Sequence, residues 1–238
     1  MPDTTRITKV FASEADLAKA AACDFVDLVR SKKPLTVALS GGRIAKTFYN
    51  EIVAQVRNRR VEFSNVDFFW ADERCVPPTD PESNFYLANE HLFQPLKIGE
   101  QRIHRLKGEL SAAIAVEQAA EEISRVASHN DAGLPVLDVV ILGMGEDGHV
   151  ASLFPNTPDA INQSTAPFVH IENSPKPPPN RLSLSYTVLA AAKDVWVLAS
   201  GAGKQAALKE SLAVKGNTPL ARVLDSRTHS TVYTDVQL

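Results

Sequence analysis

Four short apolar runs in this chain stop at small or charged residues, and they alternate with helical patterns. LTVALS (35–40) runs into Gly41-Gly42-Arg43, and VDFFWA (66–71) into Asp72-Glu73-Arg74. LDVVILG (137–143) runs into a glycine-rich stretch ending at His149, and DVWVLAS (194–200) into Gly201-Ala202-Gly203-Lys204. All four runs read as strands, and the apolar run of 137–143 reads as one buried on both faces of a sheet. Further strands are expected at 6–12, 166–171, 181–185 and 230–235. Helices are expected from a Ser13/Asp16 capping box to about Arg30, and at 44–56, 82–93, 110–128 and 203–213. The alternation predicts an α/β fold with a doubly wound, mostly parallel sheet and helices on both faces. Ligands of such sheets bind beyond the carboxyl ends of the strands. All four ends are therefore expected on one rim.

The 238 residues suit one domain spanning 1–238, and a net charge of −3 gives no reason to expect a nucleic-acid or membrane surface. An anionic substrate would need a local cluster of cations. The first residues lack the apolar core of a signal peptide, and no apolar run reaches the roughly 18 residues of a membrane span. Cys23 and Cys75 lie far apart without a C-x-x-C pattern, as expected of free thiols in a reducing, cytoplasmic setting. The proline-rich NSPKPPPN (173–180) reads as a surface loop or a lid.

The stretch GMGEDGHVASLFP (143–155) carries the spacing of a dinucleotide fingerprint but lacks its context. That fingerprint needs a full helix after the glycines to hold the pyrophosphate. Pro155 and Pro158 leave room for a turn or two, and Glu146 and Asp147 would repel an anion. The glycines instead let the backbone turn sharply and set His149 at a strand mouth. Asp147, two residues back, can accept from one ring nitrogen and leave the other free as a base.

Ser40-Gly41-Gly42-Arg43, between a strand and a helix, is either a phosphate-binding loop or a tight turn. Asp72-Glu73-Arg74 at a strand end reads as a structural ion-pair network. The alternative makes Arg74 a substrate clamp and Asp72 a polar contact or relay. Lys204 opens a helix, where the dipole disfavours a cation unless an anion sits between it and the amides. Arg181 is a second candidate for that anion. His91, His104, His129, His170 and His229 show no ligand spacing, and no metal site is expected.

The segments SGGR, WADERCVPPTDPESNFYLANEHLF, GMGEDGHVASLFP and RLSLSYTVLAAAKDVWVLASGAGKQAAL, in this order, resemble the 6-phosphogluconolactonases. The likeness spans about residues 10–235. It implies a Rossmann-like fold of the glucosamine-6-phosphate deaminase/ribose-5-phosphate isomerase kind. It also implies cofactor-free hydrolysis of 6-phospho-D-glucono-1,5-lactone to 6-phosphogluconate, in the oxidative pentose phosphate pathway. By the same resemblance His149 is the general base, Asp147 its orienting partner and Arg74 a neighbour of the lactone. Ser40, Gly41, Gly42, Arg43, Asp72, Arg181 and Lys204 would bind substrate. The expected partner is a phosphorylated sugar lactone, with the protein a monomer or homodimer.

The related deaminases resemble G-H-I-A-F-N-E-P, with a carboxylate shortly after the histidine. Here Gly148-His149-Val150-Ala151-Ser152-Leu153-Phe154-Pro155 has none, and Asp72-Glu73-Arg74 stands where they tend to read D-E-Y. Both differences favour the lactonase over a deaminase or isomerase of amino-sugar phosphates. A non-catalytic sugar-phosphate sensor of this fold would usually carry a DNA-binding segment. The first loop departs from the family's S-G-G-x-T-P: Ile44-Ala45 replaces Thr-Pro and removes one hydroxyl donor.

Overall fold

The protein is described here from a computed structural model covering residues 5–238. Its strands, in chain order, are β1 (Thr5–Val10), β2 (Leu35–Leu39), β3 (Val66–Trp70), β4 (Asp72–Arg74), β5 (Ser128–His129), β6 (Pro135–Val136), β7 (Val139–Gly143), β8 (Phe168–Ile171), β9 (Arg181–Leu184), β10 (Asp194–Ala199) and β11 (His229–Thr234). A six-stranded sheet runs β1-β11-β10-β7-β2-β3, and every pairing in it is parallel. All of β2 and all but the first residue of β10 are buried, as expected of strands covered on both faces.

Helix α1 (Glu14–Arg30) starts where the capping box places it. The Ser13 hydroxyl accepts from the Asp16 amide at 3.2 Å and donates to the Asp16 carboxylate at 2.7 Å. Its apolar stripe packs on α2 (Arg43–Arg59) and on the sheet. Phe25 of α1 meets Phe48 of α2 at 6.0 Å and Trp196 of β10 at 6.5 Å between ring centres. Aromatic edge contacts of this kind add to the apolar burial that holds helix and sheet together.

The topology itself creates a crevice. From β2 the chain winds outward to β3, then returns to place β7 on the other side of β2. The β2–β7 ladder covers only Val37↔Val139 and Ala38↔Val140. Beyond it the main chains are joined by a side chain, the Ser40 hydroxyl donating to the Ile141 carbonyl at 2.8 Å. Ligands bind at such a switch point in open α/β sheets.

The expected strands at 166–171 and 181–185 are real but do not join the central sheet. As β8 and β9 they form an antiparallel sheet in the order β4-β9-β8. Asp72-Glu73-Arg74 is itself its third strand, and the Leu184 amide donates to the Ala71 carbonyl at 2.7 Å. Two short helices also escaped the sequence reading, Tyr186–Ala191 and Pro219–Asp225. Each opens on a hydroxyl cap, Ser185 and Thr218, but neither is long enough to display a clear 3.6-residue period.

Candidate active site

The loops after β2, β3, β7 and β10 converge on one cavity of about 480 Å³, lined by Ser40, Gly41, Gly42, Arg43, Asp72, Arg74, His149, Arg181 and Lys204 among others. Each of these residues was picked out from the sequence. Asp147 lies just behind, against His149. Four polar residues that the sequence does not single out as site candidates also line the cavity: Asn84, Glu146, Lys176 and Ser200.

The strand β7 ends at Gly143, and the chain then folds back tightly. The Gly145 amide donates to the His149 carbonyl at 2.9 Å, and the Gly148 amide to the Gly145 carbonyl at 3.1 Å. Gly148 has φ +77°, a backbone state that suits glycine. The imidazole lies directly over Gly145, where a Cβ would stand 2.0 Å from Nδ1 and 2.4 Å from Asp147 Oδ1. The glycine spacing therefore makes room for a ring and gives no phosphate cradle. No helix follows until Asp159–Asn162, so the dinucleotide arrangement is absent.

The His149 ring packs on Phe154 at 4.5 Å and is 15% exposed. Nδ1 donates to Asp147 Oδ1 at 2.5 Å. This bond fixes the tautomer and leaves Nε2 with no protein partner among the described residues. Burial holds the imidazole below its ordinary range, with the Lys176 charge adding to this, while Asp147 pulls it back up. The net effect is a neutral ring near pH 7, as a general base requires.

Asp72 and Glu73 have different tasks. Asp72 is 5% exposed. It accepts from the Ser152 hydroxyl at 2.7 Å and the Asn84 amide group at 3.1 Å, tying the histidine loop to β4. Glu73 is 2% exposed and receives the amides of Arg74, Asn84 and Phe85 and the Ser83 hydroxyl. Burial pushes its carboxyl up to about 7 against the pull of these four donors. The structural half of the D-E-R reading thus belongs to Glu73, which holds the start of the helix Asn84–Ala88. Gly41 accommodates that helix, since a Cβ there would stand 1.8 Å from Asn84 Oδ1. Arg74 reaches the Glu82 carbonyl through Nη1, while its buried Nε has no partner.

Further cations line the same cavity. Gly42 caps α2 with φ +95° and open space where a side chain would be. Arg43 is mostly exposed, 3.5 Å from Glu14. Lys204 is half-buried at the start of the helix Gln205–Leu212, as expected. Burial, Arg43 and Lys176 all hold its ammonium below the ordinary range, and Glu146 partly offsets them. Glu14 and Glu146 offset these cations only in part, and an incoming anion would relieve the remaining repulsion. Arg181 is placed differently from a free anion ligand. Its Nε and Nη2 donate to the carbonyls of Pro178, Lys176 and Pro177 at 3.0–3.1 Å.

Other histidines are engaged elsewhere. His104 is 6% exposed between Asp67 and Glu122 and stacks on Phe69. Among the described residues no helix is long and apolar enough to cross a membrane, and no group of three His, Cys, Asp or Glu side chains is arranged to hold a metal ion.

Fold and cavity define a doubly wound α/β protein with a cavity lined by cations beside a histidine–carboxylate pair. The chain belongs to the family described as glucosamine-6-phosphate isomerases/6-phosphogluconolactonase, which matches residues 11–233. A 6-phosphogluconolactonase from Streptomyces coelicolor is 32% identical over 226 residues, covering 91% of this chain and 86% of that protein. A solved 6-phosphogluconolactonase from Trypanosoma brucei is similar with a TM-score of 0.84 and 26% identity, covering 98% of this chain and 97% of the other. A monomeric glucosamine-6-phosphate deaminase shares the fold, with a TM-score of 0.82 at 18% identity over 96% of both chains.

Proposed function

We propose that this protein hydrolyses 6-phospho-D-glucono-1,5-lactone to 6-phospho-D-gluconate, with His149 as general base. The observation that carries the reading is the shared cavity: an imidazole with an unpartnered Nε2 lines the same space as Arg43, Lys176 and Lys204. Neutral His149 takes a proton from water as its oxygen attacks C1. Arg74 and the loop amides stabilise the tetrahedral oxyanion. His149 then returns the proton to the ring oxygen as the C–O bond breaks. Arg43, Lys204 and the amides of Ser40, Gly41 and Gly42 hold the phosphate, with Arg181 and Asp72 supporting the cavity wall. A δ-lactone is an activated ester, so a positioned base and charge stabilisation suffice. The test is an assay coupled to 6-phosphogluconate oxidation with freshly made lactone, measured against spontaneous opening. Release of ammonia from glucosamine 6-phosphate with no lactone turnover would replace this reading by the deaminase one.

Two further outcomes follow from the geometry. Gly145→Ala is expected to lower kcat about 100-fold, because displacing a catalytic group by an ångström costs that much. Steady-state kinetics together with an unchanged circular dichroism spectrum checks it; full activity would mean the ring is not held over Gly145. The acid limb of the kcat/KM profile is expected below the ordinary imidazole value of 6.5. Asp147 favours the charged ring, so Asp147→Asn should move that limb to still lower pH and lower the plateau. A limb that moves upward contradicts the assigned pair.

A further inference from the structure

The 173–180 loop is exposed and proline-rich, yet its one cation faces the site. Lys176 lines the cavity with Arg43 and Lys204. The loop is held by a side chain from the neighbouring strand. Of the five N–H donors of Arg181, Nε and both on Nη2 go to the loop carbonyls of Pro178, Lys176 and Pro177. Nη1 is left 4.0 Å from Asp72 Oδ2, and the guanidinium lies 5.7 Å over the Phe154 ring that packs against His149. Arg181 is 4% exposed and sits opposite Arg74 in the β4–β9 register. It therefore has little donor capacity left for a ligand, whereas the Lys176 ammonium has no protein hydrogen-bond partner among the described residues.

We infer that Lys176 is the side chain that makes this site select a phosphorylated over an unphosphorylated sugar lactone, and that Arg181 is the positioning residue that holds it there. The inference rests on the proposed lactone hydrolysis and assigns its specificity. Arg181 works as a strut: its planar fork ties together consecutive carbonyls of a loop that has no secondary structure of its own. Lys176 then meets the phosphate as a preset charge, at lower ordering cost than a free lysine would incur.

The experiment compares kcat/KM for 6-phosphoglucono-1,5-lactone and glucono-1,5-lactone, each corrected for spontaneous opening. Lys176→Met is expected to lower the ratio of the two by about 10- to 100-fold, the worth of one charge-assisted hydrogen bond. Lys176→Arg should restore most of it. Arg181→Lys keeps the charge and loses the fork. It should lower the same ratio in the wild-type background and leave it unchanged in the Lys176→Met background. A ratio within twofold of wild type in Lys176→Met overturns the inference. So does a full Arg181→Lys effect on the ratio in the Lys176→Met background, which would mean that Arg181 touches the phosphate itself. Wild-type protein that opens neither lactone above background refutes the underlying reading; wild-type turnover with an insensitive ratio refutes only the role of Lys176.

Discussion

His149→Ala is expected to lower kcat by about 10²–10⁴-fold, the usual contribution of a positioned histidine base. The Kd for 6-phosphogluconate should stay within a few-fold, because the cations lie on loops that the substitution does not touch. The split arises from the architecture. The ring hangs on the turn after β7, whereas Arg43 and Lys204 come from the loops after β2 and β10. Truncating the imidazole also frees the Asp147 carboxylate, which is already partly exposed and needs no new partner. Residual turnover would come from Arg74 and the loop amides, so the rate should remain above that of spontaneous opening. Steady-state kinetics and calorimetric titration of the product check both halves. Turnover near that of the wild type would remove His149 from the chemistry, and loss of product binding would make it a binding residue.

The second large effect concerns a residue outside the reaction. Glu73→Ala is expected to destabilise the protein by about 3–5 kcal/mol in chemical denaturation, because it strands buried donors together. Three backbone amides and the Ser83 hydroxyl converge on that one carboxylate. Through them Glu73 links β4 to the helix Asn84–Ala88, whose first residue packs on Gly41 of the substrate loop. Glu73→Gln keeps one acceptor oxygen and should lose less. A change below about 1 kcal/mol for Glu73→Ala, the worth of a single ordinary hydrogen bond, would show that water replaces the carboxylate at no cost.

Much of this architecture is visible in the sequence because its causes are local. A strand buried on both faces is a largely apolar run, and β2, β3, β7 and β10 all show one, interrupted by Thr36 in β2 and Asp67 in β3. Asp147 and His149 are two residues apart, so the hydrogen bond between them follows from the turn that connects them. Other features depend on pairs far apart in the chain. Nothing around residues 72–74 announces that they pair with 181–183, so the antiparallel sheet was read as part of the parallel one. The charge of Arg181 is legible in the sequence, whereas its partners, three main-chain carbonyls, are not. Lys176 was hidden by its surroundings, since prolines mark a loop without indicating where the loop goes. The one available signal was a lone cation in a rigid segment leading directly into a strand. Glu73 and Asn84 likewise depend on contacts between loop backbone and side chain that composition does not encode. Ile44-Ala45, in place of Thr-Pro, puts two apolar side chains at the start of α2, and Ile44 also borders the cavity. Both residues are buried in the first turn of α2, where apolar side chains face the core.

The central claim is that a histidine base and a cationic cradle hold opposite ends of one phosphorylated sugar acid. A crystal structure with 6-phosphogluconate bound tests this most directly. The phosphate is expected within hydrogen-bond distance of Lys204, Arg43 and Lys176, and the C1 carboxylate against His149 Nε2 and Arg74. A phosphate seated on His149, or a ligand that leaves this cavity empty, would contradict it.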